Sequence, residues 1–205
     1  ILNKLFENVI RLSTRMRDTT GIAKDVISLG DIAVKLVDEK AGLDSKKKVL
    51  LIGTGNSAAL VAKTLNKKEV SYDVTSRNIE RATGFSTIVG GNPIDFDDVL
   101  TTLDKYDIIF VATTSDYFLI TYDRIKLIME AKKKGKGTLI LDLSDPRTVD
   151  EGITALPGIK LLFRDQIAEI YEESVKDRST IVPAVEKIIE KEIPVLSARM
   201  KRLDA

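Results

Sequence analysis

The stretch Lys48-Val49-Leu50-Leu51-Ile52-Gly53-Thr54-Gly55-Asn56-Ser57-Ala58 constrains this chain more than any other. A short, continuous apolar run of this kind reads as a strand buried on both faces, as in a parallel sheet. It ends in Gly53-x-Gly55-x-x-Ala58, and residues 57–67 beyond it are patterned as a helix. That is the strand–turn–helix context a dinucleotide-binding loop requires. Gly53 permits the tight turn, Gly55 lets backbone approach a pyrophosphate, and the small Ala58 allows close helix–strand packing. The N–H groups of the helix start, supported by its dipole, face the phosphates. Gly53, Thr54, Gly55, Asn56, Ser57 and Ala58 are therefore candidate cofactor-binding residues.

The rest of the chain alternates in the same sense. Strands are predicted at Tyr72–Ser76, Pro93–Phe96, Asp107–Thr113, Thr138–Leu143 and Gly158–Phe163. Helices are predicted at Glu80–Thr87 and Thr121–Lys134, the latter ended by Gly135 and Gly137. Strands alternating with helices imply parallel strands joined by right-handed crossovers. Before them, Leu2, Leu5, Phe6, Val9, Leu12 and Met16 form one helical stripe, broken at Thr19-Thr20-Gly21. A second helix spans about Asp25 to Lys40, with Gly42 as its C-terminal cap. These two helices are expected to pack on chain outside this segment or to lie as a connecting arm. After Asp165 the pattern is helical again: Ile167, Ile170, Tyr171 and Val175 share one face, and Val182, Val185, Ile188, Ile189, Ile193 and Leu196 another. Pro183 suits a first turn, and Pro194 is expected to kink this last helix. The fold class is α/β: a Rossmann-type doubly wound parallel sheet flanked by N-terminal linker helices and C-terminal helices.

The second strand ends about twenty residues past the loop, where an NADH site wants Asp or Glu for the ribose hydroxyls. Ser76-Arg77-Asn78 stands there instead. Arg77 can stack on adenine and pair with a 2′-phosphate, and Ser76 can donate a hydrogen bond to it, so NADPH is the expected cofactor. Thr113-Thr114-Ser115 ends the fourth strand and should line the same crevice, with Thr113 a candidate contact to ribose or nicotinamide.

Composition narrows the chemistry. The chain has no Cys and no His, which removes thiolate nucleophiles, imidazole bases and nearly all zinc chemistry. No catalytic residue and no metal ligand is assigned. Lys plus Arg is 32 against 31 for Asp plus Glu, so net charge makes no case for nucleic-acid binding. Lysine clusters at Lys46–Lys48 and at Lys132–Lys134 with Lys136 read as solvated surface. No apolar run is long enough to cross a bilayer, and the expected location is cytoplasmic. The chain begins at Ile1 rather than Met and reads as a segment of something longer.

Further motifs carry a family resemblance. They are Arg17-Asp18-Thr19-Thr20-Gly21-Ile22 with Val26-Ile27-Ser28, the glycine loop, and Ser76-Arg77-Asn78 with Glu80-Arg81-Ala82. Leu141-Asp142-Leu143 with Pro146-Arg147 and Val149-Asp150 follows, then Leu156-Pro157-Gly158-Ile159 and Asp165-Gln166-Ile167. In their order and spacing they resemble the NADPH-binding domain of glutamyl-tRNA reductase. Four positions depart from that family: Ala58 and Ser76 replace its usual Gly and Asn, and Ser144-Asp145 replaces two small apolar residues before Pro-Arg.

The resemblance implies a division into 1–44, a linker and spinal-helix segment; 45–163, the NADPH-binding Rossmann domain; and 164–205, a truncated helical dimerisation segment. It implies an oxidoreductase that reduces glutamyl-tRNA(Glu) to glutamate 1-semialdehyde in tetrapyrrole synthesis. A Cys in a separate N-terminal domain holds the glutamyl group as a thioester there. This chain lacks that sulfur, so the segment alone is expected to bind cofactor without turning over substrate. Glutamyl-tRNA and a second copy of the chain are the implied partners. Two alternatives stand beside this reading: another NADP-dependent dehydrogenase domain resembling shikimate dehydrogenase, and a non-enzymatic dinucleotide-sensing module.

Overall fold

A computed structural model describes residues 2–22, 28–130, 137–176 and 181–203. The chain divides into two compact units, one from Ile1–Val26 with Glu172–Ala205 and one from Ile27–Tyr171. The predicted helix start at Asp25, Gly135 and the lysines at 132–134 and 136 fall outside the described residues, as does the side chain of Val175.

The larger unit holds α2 (Leu29–Ala41), β1 (Val49–Ile52), α3 (Asn56–Lys67), β2 (Tyr72–Thr75), α4 (Ile79–Val89) and β3 (Asn92–Pro93). There follow α5 (Phe96–Leu100), β4 (Ile108–Val111), α6 (Tyr122–Glu130), β5 (Thr138–Asp142), β6 (Ile159–Phe163) and the start of α7 (Arg164–Lys176). Among the described residues, six strands form one sheet in the order β3-β2-β1-β4-β5-β6, with every pair parallel. The doubly wound fold expected from the sequence is present. Strand side chains alternate between two cores, as the period of two requires. Val49, Leu51, Val74, Phe110 and Leu141 pack with α2, α3 and Ile167 of α7. Leu50, Ile52, Ile109, Val111 and Ile140 pack on the other face with α5, α6 and the turn around Ile153.

Two expectations are corrected. The first concerns α2, which is not an arm: Ile32, Ala33, Val34 and Val37 are at most 2% exposed within the first core. Each large aliphatic side chain buried there contributes roughly 1.5–3 kcal/mol, enough to dock a helix of this length. Close approach is possible because Gly30 faces α3; a Cβ there would lie 2.2 Å from the Leu60 carbonyl oxygen. Ser28 and Asp31 form a capping box at the start of α2, and Thr64 Oγ1 of α3 donates to Asp31 at 2.8 Å. The second correction is at 93–96. Only Asn92–Pro93 pairs as a strand, because Asp95 accepts from the N–H groups of Asp97 and Asp98 and so starts α5 at Phe96.

The smaller unit pairs α1 (Leu2–Thr20) with α8 (Val182–Leu203). Arg15 and Glu192 form an ion pair between them. Helix α1 ends at Thr20, within the expected break, and α8 runs through Pro194. Leu12, Met16, Val185, Ile188 and Leu196 are half-buried, whereas Phe6, Ile10, Ile189 and Ile193 are exposed. Among the described residues no helix is long and apolar enough to cross a membrane.

Candidate functional site

Strand order reverses between β1 and β4, and open α/β sheets form their ligand crevice beyond the carboxyl ends of the strands at such a point. A crevice of about 220 Å³ lies there. Its floor is Gly53, Thr54 and Gly55 after β1 and Ala112, Thr113 and Thr114 after β4. Ser76, Arg77, Asn78 and Arg81 form the wall at the end of β2, and Phe96 and Leu119 supply apolar surface.

The glycine loop is wedged between its two neighbours. Gly53 has φ +121°, and its N–H donates to the Thr75 carbonyl at 2.8 Å. A Cβ on Gly53 would sit 2.0 Å from the Ala112 carbonyl oxygen. Gly55 differs: a Cβ built there meets no atom within 4 Å, so this flank of the loop is open. Gly55 also caps α3 without a side-chain acceptor, which leaves the first-turn N–H groups of the helix to whatever enters. Ala58 lies under the loop, fully buried in the first core. Asn56 is exposed and Ser57 half-buried; neither they nor Ala58 line the crevice, whereas Gly53, Thr54, Gly55, Ser76, Arg77 and Thr113 do.

At the β2 wall, the Ser76 hydroxyl donates to the Asn78 carbonyl at 2.6 Å. Asn78 accepts from the Arg81 N–H and so caps α4. Arg77 precedes this cap and Arg81 sits in the first turn of the helix, and both line the crevice. The Arg77 guanidinium lies 5.8 Å from the centre of the Tyr117 ring and 3.4 Å from its hydroxyl. Arg81 and Tyr117 were not legible as site residues in the sequence. The N-cap at Asn78 was the available signal for Arg81; Tyr117 had none, because the loop after β4 carries it across.

The opposite wall is braced from behind. Asp142, 1% exposed at the end of β5, accepts from the N–H groups of Ser144 (3.0 Å), Thr148 (2.7 Å) and Val149 (3.0 Å). Thr148 Oγ1 and Ser144 Oγ lie 3.0 Å apart, and Ser144 Oγ accepts from the Thr113 N–H at 3.2 Å. Buried carboxylate, folded-over loop and crevice residue thus form one continuous chain. Ser115, expected in the crevice, is buried instead. Within this loop Arg147 pairs with Glu151 and Asp165 and lies 4.1 Å from the Phe163 ring centre.

The crevice lining includes no carboxylate and no lysine. It offers backbone donors, hydroxyls, an amide and two guanidinium groups, which suits holding anionic phosphates. Among the described residues no group of acidic side chains is arranged to hold a metal ion.

Comparison with known proteins agrees with this geometry. Residues 35–170 match the shikimate / quinate 5-dehydrogenase family. The chain is 46% identical to the glutamyl-tRNA reductase of Cenarchaeum symbiosum over 204 residues, 100% of this chain and 48% of that protein. Among solved structures it is similar to the glutamyl-tRNA reductase of Methanopyrus kandleri, with a TM-score of 0.68 and 29% identity over 97% of this chain and 50% of that one. The nucleotide-binding domain of the Thermoplasma volcanium glutamyl-tRNA reductase shares the fold, with a TM-score of 0.57 and 22% identity over 74% of this chain and 96% of that one. The chain therefore spans about half the length of the full-length relatives it matches.

Proposed function

Because the chain belongs to the shikimate / quinate 5-dehydrogenase family, as its match over residues 35–170 shows, we propose that its crevice binds NADPH as the cofactor-holding portion of a glutamyl-tRNA reductase. The observation that carries the cofactor is the pair Arg77 and Arg81 beside the uncapped start of α3. A carboxylate at the end of β2 would favour the free ribose hydroxyls of NADH, whereas guanidinium groups favour a 2′-phosphate. The open flank at Gly55 fits a pyrophosphate at the loop. In this reading the Gly53–Ala58 loop holds the pyrophosphate through the backbone N–H groups that follow Gly53, whose own N–H is taken by the Thr75 carbonyl. Arg77 holds the 2′-phosphate with Ser76, whose hydroxyl turns to it from the Asn78 carbonyl, Arg81 adds charge, and Thr113 borders the nicotinamide side. When bound, the cofactor supplies hydride for reduction of glutamyl-tRNA(Glu) to glutamate 1-semialdehyde in tetrapyrrole synthesis.

The residue that holds the glutamyl group is proposed to lie outside this chain, so the 205 residues alone bind NADPH and do not turn over substrate. Residues 45–163 are the proposed cofactor domain. Residues 164–205, with the exposed Ile189 and Ile193 of α8, are the proposed dimerisation segment, and the cytoplasm is the proposed location. A shikimate-type dehydrogenase is the second reading, favoured by the family match. Likeness to glutamyl-tRNA reductases runs beyond residues 35–170 into both flanking helical segments, which supports the reductase.

Calorimetric titration tests the cofactor. NADPH should bind more tightly than NADH, and Arg77→Ala should remove about 10- to 100-fold of that preference, the loss of one or two charge-assisted hydrogen bonds. Equal affinity of the unmutated chain for the two cofactors overturns the NADPH reading.

A further inference from the structure

All strands run parallel, so the crevice occupies one end of the sheet and the strand starts occupy the other. Two contiguous grooves of about 460 and 330 Å³ lie at the starts. They share Lys47, and their rims carry Lys40, Lys46, Lys48, Lys105 and Lys160. Lys47 is half-buried and the others are exposed. None of the six makes an ion pair among the described residues. Two carboxylates line the grooves, and both are engaged by neutral donors. Asp73 accepts from the Tyr106 hydroxyl at 2.8 Å and from Asn92 Nδ2 at 2.9 Å. Asp107 accepts from the Lys48 backbone N–H at 3.0 Å. In a chain whose charges nearly balance, six lysines against two carboxylates leave an excess of positive charge on one concave face.

We infer that this lysine-rimmed face binds the phosphate backbone of an RNA, and so forms a second anion site at the opposite end of the sheet from the cofactor crevice. It rests on the reading of the chain as part of a tRNA-using reductase. Ammonium groups on flexible stems suit phosphates without base readout. The aromatic residues lining the grooves, Tyr72 and Tyr106, are buried, which leaves no platform on which to stack bases. None of the exposed large apolar side chains lines either groove. A membrane surface would therefore find charge here but nothing to insert.

The test is anisotropy of fluorescently labelled, unfractionated tRNA titrated with the chain across a salt series. Binding should weaken steeply with salt, and the Lys46→Gln/Lys47→Gln/Lys48→Gln variant should lower the log–log slope by about 2 to 3. A control variant, Lys35→Gln/Lys63→Gln/Lys126→Gln, alters exposed lysines outside both grooves and should leave the slope near that of the unmutated chain. NADPH titrated into the same samples should bind all three proteins alike. Absence of tRNA binding at low salt, or equal losses in both variants, overturns the inference. So does retention on vesicles of phosphatidylserine and phosphatidylcholine in equal parts without tRNA binding. NADPH binding without tRNA binding overturns this inference alone; tRNA binding without NADPH binding overturns the cofactor reading alone.

Discussion

Gly53 and Ala112 meet backbone to backbone, at a distance that leaves no room for a single methyl group. The contact joins the glycine loop to the end of β4 and so fixes the width of the crevice floor. Gly53→Ala adds a Cβ against an immovable carbonyl and also strains a residue at φ +121°. The expected cost is about 2–4 kcal/mol, read as a lower midpoint in urea. NADPH affinity should fall with it. A variant of unchanged stability would mean that the loop relaxes more freely than this contact allows.

Asp142 is expected to matter out of proportion to its distance from solvent. Asp142→Ala removes the acceptor for three backbone N–H groups. Each donor left unsatisfied in the interior costs about 1–3 kcal/mol, so a total loss of about 3 kcal/mol or more is expected in chemical denaturation. The loop 143–149 also carries Ser144, which fixes the Thr113 N–H. Cofactor affinity should therefore weaken in any variant that still folds. Wild-type affinity in a destabilised variant would separate the brace from the crevice.

Acid should loosen α2. Burial pushes the Asp31 carboxyl up, but hydrogen bonds from Ser28 and Thr64, with Lys67 nearby, outweigh it and hold the group below its usual 3.8. The Lys68 ammonium and the Leu43 N–H hold Asp38 below the same value. A carboxyl depressed on folding contributes stability that is present above its unfolded pKa and lost as pH falls through the folded one. Thermal midpoints should thus stay level down to about pH 5 and fall below about pH 4. Asp31→Asn/Asp38→Asn should be less stable at neutral pH and show a flatter acid limb. A limb parallel to that of the unmutated chain would assign acid sensitivity elsewhere.

The parts legible in the sequence are those fixed by local rules. The run into Gly53 and the apolar strands near Ile108 and Leu139 name their own conformation, since burial on both faces and a tight turn leave few residue types possible. Short apolar runs are ambiguous between strand and helix, and residues 93–96 fell on that ambiguity; the acidic first turn after Asp95 marked the helix. The place of α2 was hidden because its partner surface on α3 is distant in sequence, and Gly30, which permits the contact, carries no pattern of its own. In the crevice, glycines and Arg77 follow a spacing rule, whereas Tyr117 and the Asp142 brace arrive through loops whose course only the folded chain defines.

The two-residue β3 has one more consequence. Ile94 donates its N–H inward to the Val74 carbonyl, so the nitrogen of the preceding residue points outward, away from the sheet. That residue is Pro93, which has no hydrogen to offer. At this margin a passing extended segment finds no donor with which to begin pairing. Growth of the sheet from one molecule into the next is discouraged on the side where the strand is shortest.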